Sequence, residues 1–199
     1  ELAEVARDRE VQRMLFDAGL AGVCFPTEYG GLGLTPAHQK ALNEALVGYE
    51  YPTRFQSPTM TPCAAVLLDF GTEEQKRRFL PDNIAGRTGW CQMFSEPGAG
   101  SDVASLQTQA ERDGDEFVLN GQKVWTSGGQ HADLGMLIAR TDADAPKHKG
   151  ISYFGIPMHQ PGIDVRPLVE MTGRALFNEV FLDDARVADA DLIGGLGNG

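Results

Sequence analysis

Residues 107–119 read QTQAERDGDEFVL and decide the fold of the second half of the chain. The segments 107–112 and 116–119 have the alternation and the β-branched or aromatic content that is typical of short β-strands. Between them, Asp113-Gly114 is a strong signal for a hairpin turn. The stretch therefore predicts two antiparallel strands joined by a tight turn.

Further strand signals follow this hairpin at short intervals. Asn120-Gly121 is a second turn candidate, and residues 142–149 form the most loop-like stretch. The other strand candidates are residues 123–127, 134–141, 151–157, 163–168 and 179–182. About seven short strands at this spacing predict a mainly antiparallel β-sandwich or barrel.

The N-terminal part of the chain has helical patterns instead. Apolar residues between Val11 and Ala18 recur at the spacing of one helix face. Thr35-Pro36 is a typical helix start, and residues 72–75 (TEEQ) form a capping box for a helix predicted to end at Leu80-Pro81. Helices followed by strands indicate an α+β protein with a boundary near Arg87.

Composition excludes several classes of function. The formal net charge of −11 disfavours nucleic acid as a partner. No apolar run approaches the ~20 residues that a membrane span needs. Cys24, Cys63 and Cys91 are far apart and lie in apolar stretches, so we expect buried, reduced thiols. The four histidines lack the spacing of metal ligands, and we expect no metal site.

Residues 95–102 read SEPGAGSD and form the sharpest motif in the chain. Pro97 restricts the backbone, while Gly98 and Gly100 permit close approaches that a Cβ would block. Such a loop can present several N–H groups to a pyrophosphate without any lysine. For an isolated loop of this kind, an ordinary surface connection is the more frequent interpretation.

A second motif, NGQKVWTS, occupies residues 120–127. Its tryptophan can cover the face of a planar ring, and its hydroxyls can bond to the ring's edge. Taken alone, Trp125 is more often a core residue, with Thr126 and Ser127 ending a strand.

Together, the motifs resemble the acyl-CoA dehydrogenase family in order and spacing. The same resemblance extends to residues 25–33 (FPTEYGGLG), to the helix start after Gly71, and to residues 173–184 around Gly173-Arg174 and Asp183-Asp184. The sequence LFNEV at residues 176–180 resembles that of an actinobacterial branch of the family, which acts on steroid and long-chain acyl-CoA thioesters. Several linked motifs make this resemblance far more specific than one glycine pattern.

The resemblance implies FAD as the cofactor and a set of residues that bind it. Backbone groups at Phe94 and the hydroxyl of Ser95 would contact the pyrimidine edge of the flavin. Trp125 would pack against the isoalloxazine, and the Ser127 hydroxyl would bond near flavin N5 and O4. The implied cofactor-binding residues are Met93, Phe94, Ser95, Gly100, Ser101, Trp125, Thr126 and Ser127.

Two further roles follow from the resemblance. Ser101 would lie near both the FAD pyrophosphate and the CoA thioester, so it is also the candidate substrate-binding residue. Arg174 is expected to be structural and to pair with Asp183 or Asp184. The family's catalytic base is a glutamate of a C-terminal helical domain, so no catalytic residue is assigned here.

The resemblance also implies the domain plan. Residues 1–87 would be part of the N-terminal helical domain and residues 88–191 the middle β-domain. Residues 192–199, rich in glycine, would begin a linker to a C-terminal helical domain that is missing. We expect Trp125 and Phe94 to lie on an open apolar face that such a domain would cover.

The implied activity is the introduction of an α,β double bond into an acyl-CoA, with electrons passed to an electron-transfer flavoprotein. The complete enzyme would be a cytoplasmic dimer or tetramer of identical or mixed subunits. The chain alone is expected to be inactive and a weak FAD binder. Two alternatives stay open: an acyl-CoA oxidase or flavin monooxygenase on the same scaffold, and a non-catalytic partner subunit of a mixed enzyme.

Overall fold

The computed structural model describes residues 2–199, and for Pro58 its backbone only. The chain divides into two compact units, of which the first ends at Gly89 and the second is Trp90–Gly199. The first unit is helical and the second is built on one mainly antiparallel sheet. The predicted α+β class and the order of helices before strands are confirmed.

Within residues 2–89, the helical unit has five α-helices. They are α1 (Leu2–Asp17), α2 (Pro36–Ala45), α3 (Thr53–Pro58), α4 (Ala65–Phe70) and α5 (Glu73–Ile84), with a π-helical turn, Thr59–Ala64, before α4. The predicted capping box opens α5, since Gln75 N–H donates to Thr72 Oγ1 at 3.2 Å. The predicted end of α5 at Pro81 is wrong. The helix continues to Ile84 because Leu80 and Ile84 are both fully buried, and packing outweighs the bond that proline removes.

Eight strands form the sheet of the second unit. They are β1 (Trp90–Met93), β2 (Gln109–Asp113), β3 (Glu116–Lys123), β4 (Leu134–Arg140), β5 (Ile151–Pro157), β6 (Ile163–Leu168), β7 (Phe177–Ala188) and β8 (Leu192–Ile193). Their order is β6-β7-β3-β2-β4-β5-β8, and β1 pairs with β4 in parallel. The predicted hairpin is confirmed, with β2 and β3 paired antiparallel around Gly114.

This sheet curls around its own core. Phe117 of β3 and Phe154 of β5 are not on neighbouring strands, yet their rings meet edge to face at 5.0 Å. Both belong to one buried cluster that includes Leu119, Val180 and Ile156. The strands therefore enclose apolar side chains on one face, as expected for a sandwich or barrel.

The second predicted turn, Asn120-Gly121, is wrong, because no turn forms at these residues. These residues lie within the continuous strand β3 and face a β-bulge in β7. Leu119 pairs with Ala185 and Gly121 with Leu182, so β7 contains one extra residue. Residues 123–127 are therefore not a separate strand: β3 ends at Lys123, and a turn follows.

Two other expectations, on the cysteines and on the glycine-rich end, differ from the structure. Cys63 and Cys91 are buried, but Cys24 is exposed because it lies in the irregular segment after α1. Burial raises the pKa of Cys91 to about 12. The glycine-rich end begins with β8, which pairs with Tyr153 and Phe154 of β5. Among residues 2–199, no helix has both the length and the apolar character for crossing a bilayer.

A buried ion pair joins the loop after β1 to the end of β3. Lys123 Nζ lies 2.8 Å from Glu96 Oε1, and the lysine has no exposed surface. The carboxylate also accepts from Gln107 N–H at 2.6 Å and Thr108 N–H at 2.9 Å. Removing charges from water is costly, so such a pair is stable only when both partners are fully bonded.

We predict that Lys123→Met lowers the free energy of unfolding of this unit by about 3–5 kcal/mol, because it leaves the buried Glu96 carboxylate without its counter-charge. Urea unfolding followed by tryptophan fluorescence measures this, since Trp90 and Trp125 are the two tryptophans of the chain and lie in this unit. The double variant Glu96→Gln/Lys123→Met should recover a large part of the loss.

Lys147→Met is the matched control, because it breaks the solvent-exposed pair between Lys147 and Asp102. Its effect should be much smaller than that of Lys123→Met. Equal stability of Lys123→Met and the parent chain would contradict the structural role of the buried pair.

Candidate functional site

The two sequence motifs lie side by side at one end of the β-unit. Ser95 follows β1 and Val124 follows β3, and Val124 N–H donates to Ser95 O at 2.8 Å. Lys123 Nζ donates to Phe94 O at 3.1 Å. The segments on either side of these bonds, residues 94–101 and 125–127, carry most of the predicted site residues.

The glycine loop presents unused backbone donors. Glu96 and Ala99 close it with two mutual hydrogen bonds, of 2.9 and 3.1 Å. Gly100 and Ser101 are exposed. In the part of the chain that the structure describes, the N–H groups of Gly98, Gly100 and Ser101 have no acceptor. Donors of this kind on one short loop suit an anionic group.

The rest of the chain does not crowd Gly98 or Gly100, contrary to the expected close approach. A Cβ built on Gly98 or Gly100 meets no atom within 4 Å. The space beside both residues is open to solvent, so any close approach there would involve a molecule outside the chain.

Asp102, the last residue of the motif, is held by two donors. Lys147 Nζ lies 2.5 Å from Asp102 Oδ2, and Ser105 Oγ donates to the same oxygen at 2.6 Å. The hydrogen bonds from Lys147 and Ser105 hold the pKa of this carboxyl below its ordinary value. Lys147 lies in the loop-like residues 142–149, and sequence reasoning did not connect it to the motif.

Glu96 turns inward from the same loop. Burial raises the pKa of its carboxyl, but hydrogen bonds from Lys123, Thr108 and Gln107 outweigh burial, and the net pKa lies below the ordinary value. Burial lowers the pKa of Lys123, and Glu96 opposes that change. The 2.8 Å contact between Lys123 Nζ and Glu96 Oε1 fixes the loop to β3.

Trp125 has an unusual backbone for its size. Its φ is +61°, a left-handed conformation that bulky residues rarely adopt. The side chain is 61% exposed and packs edge to face on Phe177 at 5.8 Å between ring centres. Strained residues cluster at functional sites, and an exposed indole held this way is a candidate contact for a planar ligand.

The residues after Trp125 are positioned by β7. Thr126 N–H donates to Asn178 O at 3.1 Å, and Asn178 Nδ2 donates to Thr126 O at 2.9 Å. Ser127 is exposed, and its hydroxyl has no partner within the described residues 2–199. An accessible hydroxyl therefore follows an accessible indole on one fixed turn.

The eight predicted cofactor residues divide into two groups. Phe94 and Ser95 are half-buried, whereas Gly100, Ser101, Trp125 and Ser127 are exposed. Met93 and Thr126 have buried side chains, with Met93 packed in the sheet core, so each offers a ligand only its backbone. Trp125 is exposed, whereas Phe94 is half-buried and packs edge to face on Tyr153, with 5.6 Å between the ring centres.

Sequence reasoning missed two residues of this site and misplaced one. Lys123 is in phase with the buried Phe117 and Leu119 along β3, so strict alternation could have shown that it points inward. Asn178 gave no such signal. Arg174 is exposed and, among the described residues, forms no ion pair with Asp183 or Asp184, and the Asp184 carboxylate accepts from Asn120 Nδ2.

Two family profiles match the chain. "Acyl-CoA dehydrogenase, N-terminal domain" matches residues 1–87, and "Acyl-CoA dehydrogenase, middle domain" matches residues 91–185. Together they cover most of the sequence.

Curated relatives match over nearly the whole chain. Acyl-CoA dehydrogenase FadE34 of Mycobacterium tuberculosis is 46% identical over 100% of this chain and 28% of its own length. Acyl-CoA dehydrogenase IpdE1 of the same organism is 46% identical over 94% of this chain and 48% of its own length. The chain thus spans about half or less of the relatives it matches.

Solved structures agree with these matches. The Tcur3481-Tcur3483 steroid ACAD is 38% identical with a TM-score of 0.82, covering 96% of this chain and 49% of that one. The ChsE4-ChsE5 complex from M. tuberculosis is 36% identical with a TM-score of 0.85, covering 96% and 50%. On the two profiles and these relatives, the chain belongs to the acyl-CoA dehydrogenase family.

Proposed function

We propose that this chain is the flavin-binding part of an enzyme that oxidises an acyl-CoA thioester to the α,β-unsaturated product and passes the electrons to an electron-transfer flavoprotein. The observation that carries the proposal is the turn at residues 125–127. It follows Val124, whose N–H donates to Ser95 O, and it presents an exposed indole and a hydroxyl that has no partner among residues 2–199.

FAD is the cofactor, as expected for a member of this family. The residues present fit its parts: the Trp125 face suits a planar ring, and the Ser127 hydroxyl suits a polar ring edge. The N–H groups of Gly98, Gly100 and Ser101 suit a pyrophosphate, which a chain of net charge −11 would otherwise repel.

When bound, the flavin supplies the acceptor for the hydride that leaves the β-carbon of the substrate. Trp125 would pack against one face of the ring. Ser127 Oγ would donate to the N5/O4 edge, where a preorganised donor stabilises developing negative charge. Phe94 backbone groups and the Ser95 hydroxyl would bind the pyrimidine edge, and Ser101 would contact both the pyrophosphate and the thioester.

We assign no catalytic base among these residues. Glu96 and Asp102 are the carboxylates of the motif, and each is already engaged. Glu96 is buried against Lys123, and Asp102 binds Lys147 and Ser105. A base must reach the α-proton of a bound substrate, so the base belongs to another part of the complete enzyme.

We propose a steroid-derived or long-chain acyl-CoA as the substrate. One solved relative is described as a steroid ACAD, and residues 176–180 resemble the branch that acts on such thioesters. These residues lie at the start of β7, beside Trp125 through Phe177, so the resemblance falls on the segment that supports the site.

A mixed enzyme is the second candidate, because one relative is described as a complex of two named components. In such a mixed enzyme, the protein that contains this chain would associate with a different subunit to form a dimer or tetramer. Its role would then be catalytic or structural depending on which subunit provides the base.

The proposed activity is tested with the full-length protein, purified alone and with its co-expressed partner and loaded with FAD. Anaerobic mixing with a series of straight-chain acyl-CoA thioesters and a steroid-side-chain CoA thioester should bleach the visible absorption of the flavin. Reoxidation should be fast with an electron-transfer flavoprotein and slow with oxygen. Fast reoxidation by oxygen would indicate an oxidase, and no bleaching by any thioester in either preparation would refute the proposal.

We predict that Ser127→Ala slows flavin reduction by about tenfold to a hundredfold, because it removes about 1–3 kcal/mol of transition-state stabilisation at N5/O4. Rapid-mixing reduction measures this, and the flavin spectrum should shift because the same donor tunes the oxidised ring. Ser127→Thr is the matched control and should stay active. An alanine variant with the parent rate and spectrum would show that Ser127 only completes the turn.

A further inference from the structure

Two non-glycine residues among residues 2–199 have a left-handed backbone, Trp125 with φ +61° and Asp184 with φ +52°. Asp184 lies at the bulge in the middle of the β3–β7 pairing, and Trp125 lies two residues beyond its end at Lys123. Each is secured by an asparagine from the opposite strand region. Asn120 secures Asp184, and Asn178 secures the residue after Trp125.

The Asn178 contacts hold the main chain of Thr126 from both sides. Asn178 Nδ2 donates to Thr126 O at 2.9 Å, while Asn178 O accepts from Thr126 N–H at 3.1 Å. The side chain is fully buried and also donates to Gln130 Oε1. One residue therefore fixes both peptide groups of Thr126, between the indole and the Ser127 hydroxyl.

Neighbouring bonds extend this attachment. Gly128 N–H donates to Leu176 O at 3.1 Å, and Gln130 Nε2 donates to Ala175 O at 2.8 Å. The Trp125 ring packs on Phe177. The turn at residues 125–130 is thus built on residues 175–178, and Asn178 is the member of that segment whose buried side chain bonds to the turn.

We propose that Asn178 is the positioning residue of the flavin site: its carboxamide keeps the Trp125–Ser127 turn in the strained conformation that aims the indole and the hydroxyl at the ligand. A strained backbone persists only where its surroundings over-determine it. Without the carboxamide, Thr126 O becomes a buried acceptor without its donor, and the turn can relax toward negative φ. The consequence for flavin binding rests on the proposed function, whereas the consequence for the turn does not.

Asn120 provides an internal control for this proposal. Asn120 Nδ2 donates to Asp184 Oδ1 at 3.0 Å, and Asp184 N–H donates to Asn120 Oδ1 at 2.9 Å. It joins the same two strands, but on an exposed surface beside the bulge. Asn120→Ala therefore removes the hydrogen bonds of an asparagine between the same two strands but leaves the candidate site unchanged.

The experiment compares Asn178→Ala with Asn120→Ala and measures two quantities. In the chain without cofactor, amide hydrogen exchange should accelerate by at least about tenfold at Thr126 and Gly128 in Asn178→Ala, as expected for the loss of one buried bond. In Asn120→Ala the acceleration should be confined to Asp184. In the FAD-loaded full-length protein, Asn178→Ala should raise the Kd for FAD about tenfold and shift the flavin spectrum, with Asn120→Ala within about twofold of the parent.

Asn178→Asp distinguishes the loss of the hydrogen-bond donor from a change in side-chain volume. It is nearly isosteric, but it replaces the donor to Thr126 O with a carboxylate oxygen, so it should weaken FAD binding at least as much as alanine. If all three variants weakened binding only in proportion to their loss of thermal stability, Asn178 would be an ordinary core residue and the proposal would be overturned.

Different results would overturn the positioning role of Asn178 and the assignment of the turn as a flavin site. Unchanged exchange at Thr126 and Gly128 in Asn178→Ala would overturn the positioning role whatever happens to flavin. Accelerated exchange together with a parent protein that binds no FAD would support the positioning of the turn and refute its assignment as a flavin site.

Discussion

The ion pair between Glu96 and Lys123 is the interaction on which the rest of the site depends. It ties the glycine loop after β1 to the end of β3, and Lys123 also reaches Phe94 O. The Glu96 carboxylate additionally receives the N–H groups of Gln107 and Thr108, so three separate segments meet at one pair of charges. Because an unpaired charge in this position would be strongly destabilising, the loop and the turn that carry the candidate residues keep a fixed separation.

This arrangement explains how an acidic chain can offer a site for an anion. The charges of the motif are used internally: Glu96 is neutralised by Lys123, and Asp102 by Lys147. Beside the serine hydroxyls, the glycine loop offers the backbone N–H groups of Gly98, Gly100 and Ser101, which bring positive potential without a mobile cation.

Periodicity predicted the regular part of the β-unit well and its irregular part badly. Strands β5 and β6 were expected at residues 151–157 and 163–168, where the structure has them. The bulge in β7 was not predictable, since it depends on matching Leu182 and Ala185 to the inward face of β3. The end of α5 was not predictable either, because the helix continues past Pro81 through the burial of Ile84. The inward Lys123 was available from alternation, but its partner lies 27 residues away along the chain and only tertiary structure reveals it.

The two left-handed residues, Trp125 and Asp184, differ in what accounts for their backbone strain. Aspartate adopts this backbone conformation at modest cost, and Asp184 needs it to absorb the extra residue of the bulge. Tryptophan does not share that tolerance, and no register shift occurs at Trp125, where β3 has already ended. A glycine would satisfy the backbone there more easily but would leave no ring. The strain at Trp125 is therefore accounted for by the exposed indole that it presents.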